Sequence, residues 1–149
     1  MSELLDFATE HYILSTSWVI IVLLLIANLV KYRFSSVKVL SPQEATIATN
    51  RNGVFVDVRS EEEYAAGHIQ GARHIPLEKI RAGETKPLEK FKDAPIVFVC
   101  NHGNQAKTAA NIMAKQEYSE ASVLQGGMHA WRNASFPVSK KKTTGKKAK

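Results

Sequence analysis

Pro95-Ile96-Val97-Phe98-Val99-Cys100-Asn101-His102-Gly103-Asn104-Gln105-Ala106-Lys107 decides the reading of this chain. Five residues of strand character end on the one cysteine, a short polar loop with a glycine follows, and Ala106 opens a helical pattern. A thiol at such a junction faces the unpaired N–H groups of the loop and the positive end of a helix dipole. Both stabilise negative charge on sulfur. A thiolate is a nucleophile, so the position points to chemistry and not only to packing.

Working outward, the same alternation recurs. Ser41-Pro42-Gln43-Glu44 is a capping box with proline at the first helical position, and predicts a short helix to about Thr49. Asn52-Gly53 signals a turn, and Val54–Arg59 reads as a buried strand. Ser60 with Glu63 makes a second capping box, opening a helix that Gly67 can stop. His74-Ile75-Pro76 reads as a short strand, and residues 77–92 as helix broken by Gly83 and Pro87. A helix from about Ala106 to Glu117 is expected, with Ala109, Ile112, Met113 and Gln116 on one side. Ala121–Leu124 is a last strand, and Gly126-Gly127 leads into a short helix around Trp131. Strands alternating with helices predict an α/β domain with a mostly parallel sheet.

In front lies a different composition. Tyr12–Val30 contains no charged side chain and is apolar on all sides. Its 19 residues span roughly 28 Å as a helix, close to the hydrocarbon thickness of a bilayer. The bland reading is a buried soluble helix, but a small domain rarely encloses an all-round apolar one. A cleaved signal peptide needs a basic leader, whereas Glu3, Asp6 and Glu10 precede this span without Lys or Arg, and no Ala-x-Ala site follows. The expectation is an uncleaved single-pass anchor. Lys31, Arg33 and Lys38 flank its C-terminal side, which the positive-inside rule places in the cytoplasm. This predicts residues 1–11 outside the membrane, 12–30 across it, 31–36 as linker, a domain over 37–138 in the cytoplasm, and a tail from 139.

The 149 residues carry a net charge of +6, which Lys140, Lys141, Lys142, Lys146, Lys147 and Lys149 supply in full. Residues 1–139 are formally neutral, so composition gives no support to a specific nucleic-acid partner. The lysine-rich end is low-complexity and expected to be disordered; its functional reading is attraction to anionic lipid beneath the anchor. One cysteine excludes an internal disulfide, no Cys/His spacing suggests a metal site, and neither GxGxxG nor GxxxxGK[ST] is present. No cofactor is expected.

Asp57-Val58-Arg59, Glu63-Tyr64, Gly67-His68-Ile69-Gln70-Gly71-Ala72 and Ile75-Pro76-Leu77 resemble, in order, the first signature of the rhodanese domain. Cys100-Asn101-His102-Gly103-Asn104 is similar to the active loop of single-domain thiosulfate sulfurtransferases. Leu124-Gln125-Gly126-Gly127-Met128-His129-Ala130-Trp131, with Phe136-Pro137-Val138, resembles the closing signature. With the anchor in front, the chain resembles membrane-anchored bacterial rhodanese-like proteins. The resemblance implies a three-layer domain with a five-stranded sheet, and a cysteine that takes sulfane sulfur from thiosulfate or a similar donor. It implies Cys100 as catalytic residue and the loop Asn101, His102, Gly103, Asn104, Gln105 and Ala106 as the substrate-binding cradle. The acceptor would be cyanide or a thiol, including a protein thiol. Three departures stand out. Gln105 occupies a position that often carries Arg, Lys, Ser or Thr; Ala106 stands where a hydroxyl residue is common; Ser135 replaces a usual Gly.

For the loop, inward-turned N–H groups can hold an anion without a metal, and Gly103 permits the curl. Lys107 is the nearest cation in sequence and could attract an anionic donor. Asp57 with Arg59 reads as a structural ion pair fixing neighbouring loops, and His68 as a turn-locking side chain. Two other functions compete. A rhodanese-like fold could serve as a membrane scaffold with weak or no turnover. A cysteine phosphatase or arsenate reductase needs Cys-x5-Arg to clamp its oxyanion, and position 106 is alanine.

Overall fold

The structure is a computed structural model, and it describes residues 11–34 and 37–140. The expected disorder beyond Lys140 and the placement of residues 1–10 lie outside the described residues. The chain divides into two compact units, with the boundary between Ser36 and Val37.

The first unit holds helix α1, Tyr12–Phe34. It is long and apolar enough to cross a membrane, and no residue of Tyr12–Val30 is buried. Leu23, Leu24, Leu25 and Ile26 are each more than half exposed. The helix runs on through Lys31–Phe34, which composition assigned to the linker.

In the second unit, five strands form one parallel sheet in the order β1-β6-β5-β2-β4. They are β1 (Lys38–Leu40), β2 (Val54–Asp57), β4 (Arg73–His74), β5 (Ile96–Val99) and β6 (Ala121–Leu124). A separate antiparallel pair joins β3 (His68–Ile69) to β7 (Val138–Ser139). The helices are α2 (Pro42–Thr49), α3 (Glu61–Ala66), α4 (Leu77–Arg81), a 3-10 helix (Lys86–Phe91), α5 (Asn104–Lys115) and α6 (Gly127–Asn133).

Both faces of the central strands are buried, so alternate residues divide between two cores. Val54, Val56, Ile96 and Phe98 pack with Leu77, Ile80, Leu88, Ala106, Ala109 and Met113. Phe55, Val97 and Val99 pack on the other face with Ala45, Met128 and Trp131. That gives three layers, helix on sheet on helix. Phe98 is wholly buried, and truncating such a side chain to alanine costs about 3–5 kcal/mol. Cys100 continues the Ile96-Phe98 face, two residues on.

Both capping boxes form: Ser41 with Glu44 on α2, and Ser60 with Glu63 on α3. Ser41 bonds hold the Glu44 carboxyl below the usual glutamate range.

Several boundaries differ from expectation. Helix α5 begins at Asn104 rather than Ala106, because Gly103 at φ 107 turns the chain directly into it. Gln116 is exposed and caps that helix rather than lining its buried side. The strand expected at His74–Pro76 is Arg73–His74, paired with Val56 and Asp57. Ser139, placed in the tail by composition, pairs with His68. Ser135 stands at φ 60, the left-handed backbone that glycine adopts without strain.

Candidate active site

The five parallel strands of the sheet deliver their C-terminal ends to one rim, and the loop after β5 sits there. Cys100 is 3% exposed. Its Sγ accepts the Gly103 N–H at 2.9 Å and the Ala106 N–H at 3.4 Å. The sulfur therefore lies at the start of α5, on amides that have no carbonyl partner one turn back. Gly103 makes this possible, since its left-handed backbone folds the loop over the thiol.

Among the described residues, no loop side chain makes a hydrogen bond to the sulfur; the two donors that reach it are backbone N–H groups. Asn101 turns toward β2 and α3: its Oδ1 accepts from Arg59 Nη1 at 3.3 Å, and its Nδ2 donates to Glu63 Oε1 at 2.5 Å. His102 is exposed and stacks on His129, with ring centroids 4.7 Å apart. Asn104, Gln105 and Lys107 are exposed on the first turn of α5, with the Lys107 N–H on the Gly103 carbonyl. Ala106 is buried and contributes its N–H alone.

Asp57 and Arg59 form a buried pair, with Arg59 Nη2 2.6 Å from Asp57 Oδ2 and Nε 2.9 Å from Oδ1. Arg59 also donates to the Gly67 carbonyl at 2.7 Å. One guanidinium thus joins β2, the turn before β3 and the active loop. His68 is one step removed. Its Nδ1 donates to the Tyr64 carbonyl at 2.8 Å, and its ring stacks on Tyr64, which His74 also faces at 4.5 Å. The hydrogen bond and ring contact of His68 are both with Tyr64, which fits the turn-locking role.

Three residues take roles at the loop that the sequence reading did not assign them. Glu63 serves both as the N3 residue of a capping box and as the anchor for Asn101. That bond, above all, holds its carboxyl below the usual range, with the Ser60 N–H and the Arg59 charge adding and burial opposing. Met128 and His129 donate their N–H groups to the Cys100 and Asn101 carbonyls at 2.8 and 3.3 Å, so α6 braces the loop from behind. The Gly126-Gly127 dipeptide is the signal for that approach; nothing local marks Glu63 as a partner of Asn101 or His129 as a partner of His102. Among the described residues, no group of three or more His, Cys, Asp or Glu side chains could hold a metal ion.

A thiol held on helix-start amides after a parallel strand is the arrangement that the sequence signatures imply. The family model for the rhodanese-like domain matches residues 41–134. The chain belongs to the rhodanese-like family. It is 32% identical over 139 residues to the protein YibN of Escherichia coli (strain K12), covering 93% of this chain and 97% of that one. It is 38% identical over 103 residues to the thiosulfate sulfurtransferase GlpE of Ectopseudomonas mendocina, covering 69% of this chain and 91% of the relative. Among solved structures, a thiosulfate sulfurtransferase from Pseudomonas aeruginosa matches with TM-score 0.62 and 26% identity, covering 70% of this chain and 20% of that one. A rhodanese-related protein from Thermoplasma volcanium has the same fold, with TM-score 0.63 over 70% of this chain and 99% of that one.

Proposed function

We propose that this rhodanese-like protein is a membrane-anchored sulfurtransferase that carries sulfane sulfur as a persulfide on Cys100. One observation supports this above the rest: the Cys100 sulfur accepts two backbone N–H groups at the start of α5. The kinship with thiosulfate sulfurtransferases points to thiosulfate as a donor.

The Cys100 thiolate attacks the outer sulfur of thiosulfate. A sulfur–sulfur bond forms, the bond to the sulfonate breaks, and sulfite leaves with the electron pair. Cys100 then holds a persulfide anion. Cyanide or an acceptor thiolate attacks the terminal sulfur, and the Cys100 thiolate leaves. Electrons balance at each step without a cofactor. The Gly103 and Ala106 amides face negative sulfur before and after transfer, and fixed dipoles need no reorganisation between the two. With one cysteine in the chain, the persulfide has no internal thiol to attack it, so its sulfur passes to another molecule.

Helix α1 tethers the domain to the bacterial cytoplasmic membrane, N-terminus outside and domain inside, the orientation that Lys31, Arg33 and Lys38 favour by the positive-inside rule. The lysines from Lys140 to Lys149 add attraction to anionic lipid.

The test is thiocyanate production from thiosulfate and cyanide by the full chain in detergent. Turnover that vanishes in Cys100→Ser supports the enzyme. No turnover with thiosulfate or a polysulfide removes it and leaves a membrane scaffold. Protease added to right-side-out vesicles should leave the domain intact; its digestion would reverse the topology.

A further inference from the structure

The site is short of positive charge for an anionic donor. Residues 100–106 contain no Lys or Arg. Arg59, the cation bonded to the loop, is engaged by Asp57, Gly67 and Asn101. Counting Asp57, Arg59 and Glu63, the network tied to Asn101 carries a net negative charge. Thiosulfate bears two negative charges.

Beside that network lies the His102–His129 stack. His102 is two residues from the nucleophile, and His129 comes from α6, whose N–H holds the Asn101 carbonyl. Both rings are exposed, 4.7 Å apart and inclined by 23°. Two imidazoles so placed share one proton well: a charged ring stacks favourably on a neutral π face, whereas two charged rings repel. We infer that the His102–His129 pair is the recognition element for the anionic end of the sulfur donor, holding one proton when that anion is bound. This rests on the sulfurtransferase reading and names its donor class, small oxyanions carrying a transferable sulfur.

The other charged groups on elements meeting at this loop are few. They are Glu61, Glu62 and Glu63 of α3, the Asp57–Arg59 pair at the end of β2, Lys107 and Lys115 of α5, the latter in the last turn away from the loop, and Arg132 of α6. Arg132 is aimed elsewhere: a β-carbon on Gly67 would lie 3.2 Å from its Nη2.

The experiment compares two alkylating reagents on the full chain, anionic iodoacetate and neutral iodoacetamide. Both displace iodide with the same thiolate, so the ratio of their rates reports the charge at the rim and not the ionisation of Cys100. From about pH 8 to about pH 6, the range in which imidazoles charge, the iodoacetate-to-iodoacetamide ratio should rise about threefold to fivefold. His129→Phe, which keeps a ring in the stack, and His102→Phe should each abolish the rise and slow sulfur loading from thiosulfate at pH 6 by a similar factor. A flat ratio in the native chain, or an undiminished rise in both variants, overturns the inference even if sulfur loading is intact. A ratio that rises while thiosulfate leaves Cys100 unmodified removes the sulfurtransferase reading and donor recognition with it.

Discussion

Gly127 lies against Cys100 so closely that a β-carbon on it would stand 2.1 Å from the Cys100 carbonyl oxygen and 2.7 Å from that of Asn101. Its φ of 57° is in the left-handed region as well. Helix α6 can deliver the Met128 N–H to the Cys100 carbonyl only because this position has no side chain.

Gly127→Ala should therefore separate α6 from the active loop. Backbone strain and overpacking together predict a loss of at least about 2 kcal/mol, read as a lower urea midpoint with unchanged slope. Sulfur loading should fall further than the folded fraction does, since the loop carbonyls lose their brace. A variant as stable and as active as the native chain would show that the contact is slack.

The Asp57–Arg59 pair is 1% and 3% exposed, so removing one partner strands a charge out of water. Arg59→Met should cost about 3–5 kcal/mol. Adding Asp57→Asn should recover part of that loss, because the stranded charge is gone. Urea unfolding of both single variants and the double variant gives the coupling. Additive losses would mean that the pair does not interact.

Glu63 makes acid stability depend on the loop. Its folded carboxyl is held below the usual range, chiefly by the Asn101 amide. The unfolded chain therefore takes up the proton first as pH falls. The contribution is complete above the unfolded value and is lost as pH drops through the lowered folded one. The group is largely exposed, so the effect is small, about 1 kcal/mol or less. Glu63→Gln should flatten the fall in stability below about pH 4, and Asn101→Ala should do the same by removing the principal partner. Identical acid limbs in all three proteins would sever this link between α3 and the loop.

Much of this was legible from local sequence. The two capping boxes form at the positions that Ser41-x-x-Glu44 and Ser60-x-x-Glu63 mark, because a cap is a bond across three residues. Strands β2, β5 and β6 are buried along their whole length, and apart from Asp57 and Ser122 their residues are apolar, as strands covered on both faces tend to be. Strand β1 carries no local signal: Lys38-Val39-Leu40 is a short, largely exposed edge whose identity comes from pairing with Ser122–Leu124. The β3–β7 pair is two residues long on each side and joins segments about seventy residues apart, beyond any local signal. In the site, Cys100 and Gly103 announce themselves by type and position. The ties from Asn101 to Glu63 and from His102 to His129 span 38 and 27 residues, and exist only once α3 and α6 pack around the loop.

Transfer of sulfur through Cys100 is tested most directly by the intact mass of the reduced full chain after incubation with thiosulfate. The mass should rise by one sulfur atom, localise to Cys100, and return to its starting value when cyanide is added. A mass that does not change, in protein whose thiol is reduced and reachable by a small alkylating reagent, would contradict it.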